Sequence, residues 1–142
     1  MADPQSANTI RAVVDTILPS AEGRTGGVEL GADQHAVQQL DKYLPGFPDM
    51  VAALFDAFAS DERTGASFTD LSPQERGNVL RAMASDESQD VREALDSVTI
   101  FALGGAYSEW SARGETPPRP RVWDAIGYPG PSEGYPEYRR GI

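Results

Sequence analysis

Apolar residues recur at helical spacing over most of the first 112 positions. Ile10, Val13, Val14, Ile17 and Leu18 stand at the offsets of a single helical face. They predict a helix over 6–18, capped by Ser6 or Asn8 and stopped by Pro19. Gly23, Gly26, Gly27 and Gly31 mark 19–32 as a loop. A second helix fits 33–44, with Asp33 as N-cap, Val37, Leu40 and Leu44 as its stripe, and Pro45-Gly46 as its end. Pro48 suits the first turn of a third helix. Val51, Leu54, Phe55 and Phe58 form its core face up to about Ser60, and the short spacer predicts a hairpin of helices.

Residues 61–70 are mostly polar and read as a connection. Ser72-Pro73-Gln74-Glu75 is a helix start with a Ser cap, Pro at the first helical position and Glu three residues after the cap. Val79, Leu80 and Met83 continue it. The longest helical pattern covers 87–112, with Val91, Leu95, Val98 and Phe101 or Ala102 facing inward. Gly104-Gly105 interrupts this pattern; a close helix crossing or a bend is one reading, and the plainer one is a weak point, costing about 1 kcal/mol per glycine relative to alanine, that the rest of the fold offsets. No stretch alternates with a period of two. The fold class is therefore all-α, an irregular bundle of four to five helices. Val13, Ile17, Leu40, Leu54, Phe55, Leu80, Leu95 and Val98 are its expected core.

The pattern changes after Arg113. Six of the 11 prolines and five of the 14 glycines fall in the last 30 residues. Such proline density argues against a helix or a central strand. Yet Trp123, Tyr128, Tyr135 and Tyr138 lie there, with Val122 and Ile126 between them, and disordered segments are poor in aromatics. Two regions follow: a helical domain over 1–112, and an extended Pro/Gly/aromatic-rich C-terminal tail over 113–142 that docks on a partner subunit or folds back on its own body. Pro117-Pro118-Arg119-Pro120-Arg121 reads as a stiff spacer that launches the tail, or as a short polyproline ligand. The 24 residues from Arg119 to Ile142 reach roughly 75 Å when extended at about 3.1 Å each. Four aromatics at about 150–250 Å² each match the contribution of one side of a standard interface.

Charge narrows the partners. The chain of 142 residues carries 22 acidic and 12 basic side chains, a net charge of −10. Eighteen of the acidic and seven of the basic residues lie in 1–112. An acidic body repels phosphate backbones, so no nucleic-acid partner is expected. No run approaches the length of about 20 apolar residues that spans a bilayer, so no membrane insertion is expected. The opening Met-Ala-Asp-Pro-Gln-Ser has no basic or apolar leader pattern, and a cytoplasmic location is expected. There is no cysteine, which excludes disulfides, thiolate metal sites and a cysteine nucleophile.

Candidate chemistry is sparse. His35 is the only histidine, so a catalytic triad or a histidine metal site would have to use it. No nucleophile motif accompanies it, and a surface or capping role is the simpler reading. Asp86, Asp90 and Glu93, with Glu87, sit close enough for a cation or acid–base site, but Arg92 lies among them and a solvated acidic face is the default. No phosphate-binding glycine loop, zinc-protease or nucleophile-elbow motif occurs. No catalytic, cofactor-binding or metal-binding residue is assigned to this chain.

Three strings carry a resemblance. Trp123-Asp124-Ala125-Ile126-Gly127-Tyr128-Pro129-Gly130-Pro131 is similar to the C-terminal motif of the gluconate 2-dehydrogenase subunit 3 family, a W-x-x-I-G-[YF]-P-G-P run. Ile10 to Pro19, with Asp15, Ile17 and Leu18, resembles that family's opening helix. Phe68-x-x-Leu71-Ser72-Pro73-x-Glu75 resembles its middle element. The three matches occur in the family's order and span most of the chain.

The resemblance implies a small non-catalytic subunit beside a large flavoprotein of the glucose–methanol–choline oxidoreductase type. FAD and the catalytic histidine would belong to that partner, in a hetero-oligomer acting on an alcohol, sugar or sugar acid. The length, aromatic content and near-neutral charge of the tail make it the expected contact, through Trp123, Ile126, Tyr128, Pro129, Pro131, Tyr135 and Tyr138. Two departures stand out: the twin-arginine leader of many members is not seen, and Glu115-Thr116-Pro117-Pro118 replaces a glycine- and asparagine-rich stretch. Both fit a cytoplasmic two-component dehydrogenase or oxidase better than a cytochrome-linked periplasmic one. The alternative is a free-standing helical interaction module without a redox partner.

Overall fold

The structure, a computed structural model, describes residues 1–108, 123–124 and 126–129. Over residues 1–108 five helices follow one another: α1 (Pro4–Ile17), α2 (Ala32–Tyr43), α3 (Phe47–Glu62), α4 (Pro73–Ala84) and α5 (Gln89–Ser108), with a 3₁₀ turn at Phe68–Asp70 before α4. Among the described residues no strand forms; a single isolated bridge between Ala21 and Arg24 closes a tight turn. The all-α expectation holds. The last four residues of the predicted 87–112 helix lie outside the described residues.

Local chemistry sets the boundaries and moves two of them. Asp3-Pro4 starts α1 ahead of the predicted Ser6 or Asn8 cap, because proline at the first helical position lacks only an N–H that the helix leaves unpaired anyway. The Asp3 backbone N–H also donates to Asp49 Oδ1 on α3, at 3.0 Å. Gly31, not Asp33, caps α2, and its φ of 78° is one that only glycine adopts readily. Asp33 lies instead in the first turn, where its charge favours the positive end of the helix dipole. The predicted start of α4 is present as a reciprocal capping box: Glu75 N–H donates to Ser72 Oγ at 3.2 Å, and Ser72 N–H to Glu75 Oε1 at 3.0 Å.

The core is shared by all five helices. Ile10, Val13 and Val14 of α1, Leu40 of α2, Val51 and Phe55 of α3, Val79 and Met83 of α4, and Val98 of α5 are essentially inaccessible. Five of the eight expected core residues, Val13, Leu40, Phe55, Leu95 and Val98, are buried. Ile17, Leu54 and Leu80 are only partly buried and pack on the edge of the core. The helices do not pair simply in chain order. The most extensive contact of α2 is with α5, and that of α3 is with α1; α2 and α3 touch each other less.

The connection after α3 is more than a polar spacer. Phe68 is fully buried, and its ring meets Phe55 edge-on, with centroids 5.6 Å apart. Its backbone N–H donates to Asp56 Oδ1 at 2.9 Å, and Arg76 reaches back to the carbonyls of Phe68 and Thr69. A second capping box, between Ser67 and Asp70, holds the turn that delivers this ring. Leu71 follows it into the core.

Gly104 and Gly105 do not break α5, which runs through both to Ser108. At Gly105 a close helix crossing, and not the plainer reading of a weak point, accounts for the glycine. A Cβ built on Gly105 would lie 2.7 Å from His35 Cβ on α2. Ala32 and Ala36 of α2 and Ala102 and Ala106 of α5 are buried as well, so small side chains floor this helix pair.

Candidate partner-binding surface

The tail motif is a turn rather than extended chain where it is described. Trp123 and Asp124 are helical. Tyr128 N–H donates to the Trp123 carbonyl at 2.7 Å, and Gly127 N–H to the Asp124 carbonyl at 3.3 Å. Gly127 takes a φ of 71°. Two such bonds closing over one left-handed residue make a Schellman cap, which satisfies carbonyls that a helix end leaves orphaned. The apolar contact that accompanies this cap is made by the Trp123 and Tyr128 rings, edge to face with centroids 5.1 Å apart. Pro129 comes next and blocks further helix.

This turn divides the predicted contact residues. Trp123 is half-buried, while Ile126, Tyr128 and Pro129 are exposed. Ile126, between the two clasped rings in sequence, shows 56 % of its surface. Pro131, Tyr135 and Tyr138 lie outside the described residues.

The other candidates have structural work. His35 is half-buried on α2 against the glycine surface of α5. Burial lowers its pKa from the ordinary histidine value, and the nearby Lys42 charge lowers it further. Asp86 closes the turn before α5 by accepting from Ser88 N–H at 2.9 Å. Arg92 donates to the carbonyls of Asp86 and Glu87, and Glu93 accepts from Gln89. Among the described residues no three acidic or histidine side chains gather where they could hold a metal ion.

A surface groove lies between the α2–α3 turn and α5, with a volume of about 570 Å³. Tyr43, Leu44, Phe47 and Met50 form one wall, and Ala94, Ser97, Ile100 and Phe101 the other. Tyr43 is 76 % exposed, Met50 63 % and Ile100 64 %. Tyr43 leans on Phe47, with ring centroids 6.1 Å apart. Asp90 and Glu93 are the charged residues of the lining. Along α5 the apolar surface continues to Leu103 and Tyr107.

The family model for gluconate 2-dehydrogenase subunit 3 matches residues 4–130. The chain belongs to this family. No curated protein and no solved structure matches it significantly. The match to the gluconate 2-dehydrogenase subunit 3 model begins at the first residue of α1 and runs through the Trp123–Pro129 turn. The family is that of a dehydrogenase subunit.

All three sequence strings that resemble the family have structural meaning. The first is α1, the second is the Phe68 turn with the Ser72 capping box, and the third is the aromatic-clasped turn. The groove was not anticipated. Its signal was present: Ile100, Leu103 and Tyr107 repeat at three and four residues on α5, a second stripe beside the one through Leu95 and Val98.

Proposed function

We propose that this chain is the non-catalytic small subunit of a two-component oxidoreductase, and that it binds and stabilises a large FAD-dependent partner of the glucose–methanol–choline type. Family membership across residues 4–130 is the observation that carries this reading. The exposed apolar side chains of the tail turn supply the contact, with Ile126 and Tyr128 presented on a preformed turn. Preorganisation lowers the ordering cost of binding. Substrate oxidation and the flavin belong to the partner, while this chain contributes surface.

Co-expression with the large flavoprotein subunit tests the proposal. The complex should co-purify with flavin absorbance, and the double variant Trp123→Ala/Tyr128→Ala should lose it, since large aromatics dominate interface energetics. His35→Ala should leave turnover of the complex within a few-fold. A loss of about 100-fold, the lower range for removing a general acid or base, would place catalysis on this chain and refute the accessory role. Absence of any association with a flavoprotein would leave a free-standing helical interaction module.

A further inference from the structure

We propose that the groove between the α2–α3 turn and α5 is a second docking site, and that its occupant is an amphipathic segment of the large subunit with an apolar face and lysine or arginine at one end. This inference rests on the accessory-subunit reading for the owner of the segment. Its chemistry comes from the groove itself.

The walls are apolar and open. Tyr43, Met50 and Ile100 each expose more than half their surface around the groove, although a bundle of this size has a core to hide such residues in. A continuous exposed apolar patch marks an interaction surface, whereas a lone exposed residue does not. A small ligand would need several convergent polar groups to orient it. Polar side chains here are few, and the apolar strip runs on past the groove to Leu103 and Tyr107, well beyond a small molecule's footprint. An elongated strip with anchors at helical spacing fits a polypeptide laid along α5.

Charge selects among polypeptides. Asp90 and Glu93 stand at the N-terminal end of the α5 wall, and among the described residues no lysine or arginine lines the groove. Asp86 and Glu87 precede them in the chain. A segment whose apolar side chains fill the groove therefore meets negative charge at one end, which favours a basic residue there and fixes the segment's direction. A second copy of this chain is a poor occupant, because two chains of net charge −10 repel each other.

The test uses the full chain and the purified large flavoprotein subunit, with affinity measured by calorimetry at low and high salt. Two double variants are compared, Met50→Glu/Ile100→Glu and Asp90→Lys/Glu93→Lys. All four positions are exposed, and an unchanged melting midpoint checks that the fold is kept. The apolar double variant should weaken binding about 30-fold or more, the level of an interface hot spot. The charge-reversal variant should weaken it about tenfold at low salt, with the difference shrinking as salt rises.

If both variants bind within two- or three-fold of the unmodified chain, the groove proposal is wrong while the accessory reading survives on the tail. If the unmodified chain does not bind the flavoprotein, both fall. A chain that elutes as a dimer and becomes monomeric on Ile100→Glu would assign the groove to a second copy, against the proposal. Nuclear Overhauser contacts from Ile100 to residues 109–142 in the isolated chain would assign it to the chain's own C-terminal segment, which also overturns it.

Discussion

Gly104 and Gly105 are adjacent in α5, yet alanine should act on them with opposite signs. Both substitutions gain the same intrinsic helix preference, about 1 kcal/mol per residue. Space separates them. A Cβ on Gly104 meets only His35 Nε2, at an ordinary 3.9 Å, and the position is exposed. A Cβ on Gly105 would lie 2.7 Å from His35 Cβ and 3.0 Å from its Cγ and Cδ2. Carbon atoms rest at about 3.5–4.0 Å, so something must yield by roughly 1 Å. No rotation of the His35 side chain relieves the clash, because its Cβ is fixed to the α2 backbone. The α2–α5 contact has to open instead, and overpacking of this kind costs about 1–3 kcal/mol. Gly104→Ala should therefore stabilise by about 0.5–1 kcal/mol. Gly105→Ala should come out neutral to about 2 kcal/mol destabilised, its packing cost set against the helix gain. The difference between the two isolates packing, since propensity cancels. It amounts to about 1–3 kcal/mol, or roughly 4–12 °C in melting midpoint for a domain of this size. Thermal and urea unfolding of the two variants side by side give the measurement. Midpoints that agree within a degree would refute the close-crossing account of the glycine pair.

The connection before α4 should behave as core: Phe68→Ala should cost about 3–5 kcal/mol in urea unfolding, and a cost below about 1 kcal/mol would show that the Phe55–Phe68 contact is incidental. Acid should destabilise the fold through its caps. Backbone N–H donors hold the carboxyls of Asp49, Asp70 and Glu75 below their usual pKa, so the stability they contribute is present above the ordinary carboxylate range and is lost as pH falls through and below it. Asp70→Asn/Glu75→Gln should flatten the melting midpoint between about pH 5 and pH 2, and an unchanged slope would remove the caps as its cause. His35 acts in a higher window. Its lowered pKa means that stability is present above the ordinary histidine value of about 6.5 and declines as pH falls towards the folded value, so His35→Gln should reduce the midpoint's slope between about pH 7 and pH 5.

Helix identity was legible wherever the apolar spacing was dense. α1, α3 and α4 appear where the periodicity placed them, and the Ser72 box is present bond for bond. The less legible parts share a cause: the deciding contact was distant in sequence. Phe68 sits in a polar run, and its burial depends on Phe55 and Asp56, 12 or more residues away. The glycine pair reads most plainly as a weak point, and what overturns that at Gly105 is the close approach of His35 on another helix. Leu44 looked like the last member of the α2 stripe but lies beyond the helix end and is exposed, while Ala32 and Ala36, which a hydrophobic pattern weights lightly, carry the buried face. The groove was missed for the opposite reason. Ile100, Leu103 and Tyr107 fit helical spacing as well as core residues do, and periodicity alone does not tell a face buried at home from a face left exposed.

The most recognisable string of the chain divides between making a shape and presenting a surface, and the two duties separate by mutation. Gly127 supplies the left-handed residue, and the Trp123 and Tyr128 rings clasp across it. Ile126 takes no part in the ring contact and exposes more than half its surface. An alanine at Gly127 must hold a φ of 71°, which costs about 1–2 kcal/mol for a residue with a Cβ and opens the turn. Near-ultraviolet circular dichroism reads the clasp directly, because coupled tryptophan and tyrosine rings lose their signal when they separate. Gly127→Ala should lose that signal together with flavoprotein binding. Ile126→Ala should keep the signal and still weaken binding by about tenfold, in keeping with a truncated contact residue whose scaffold is intact. If Ile126→Ala binds as tightly as the unmodified chain while Gly127→Ala does not, the turn serves only to aim the residues that follow it, and the contact belongs to them. If neither variant changes binding, the motif is a structural terminus of this fold, and the docking surface has to be sought on the helical body.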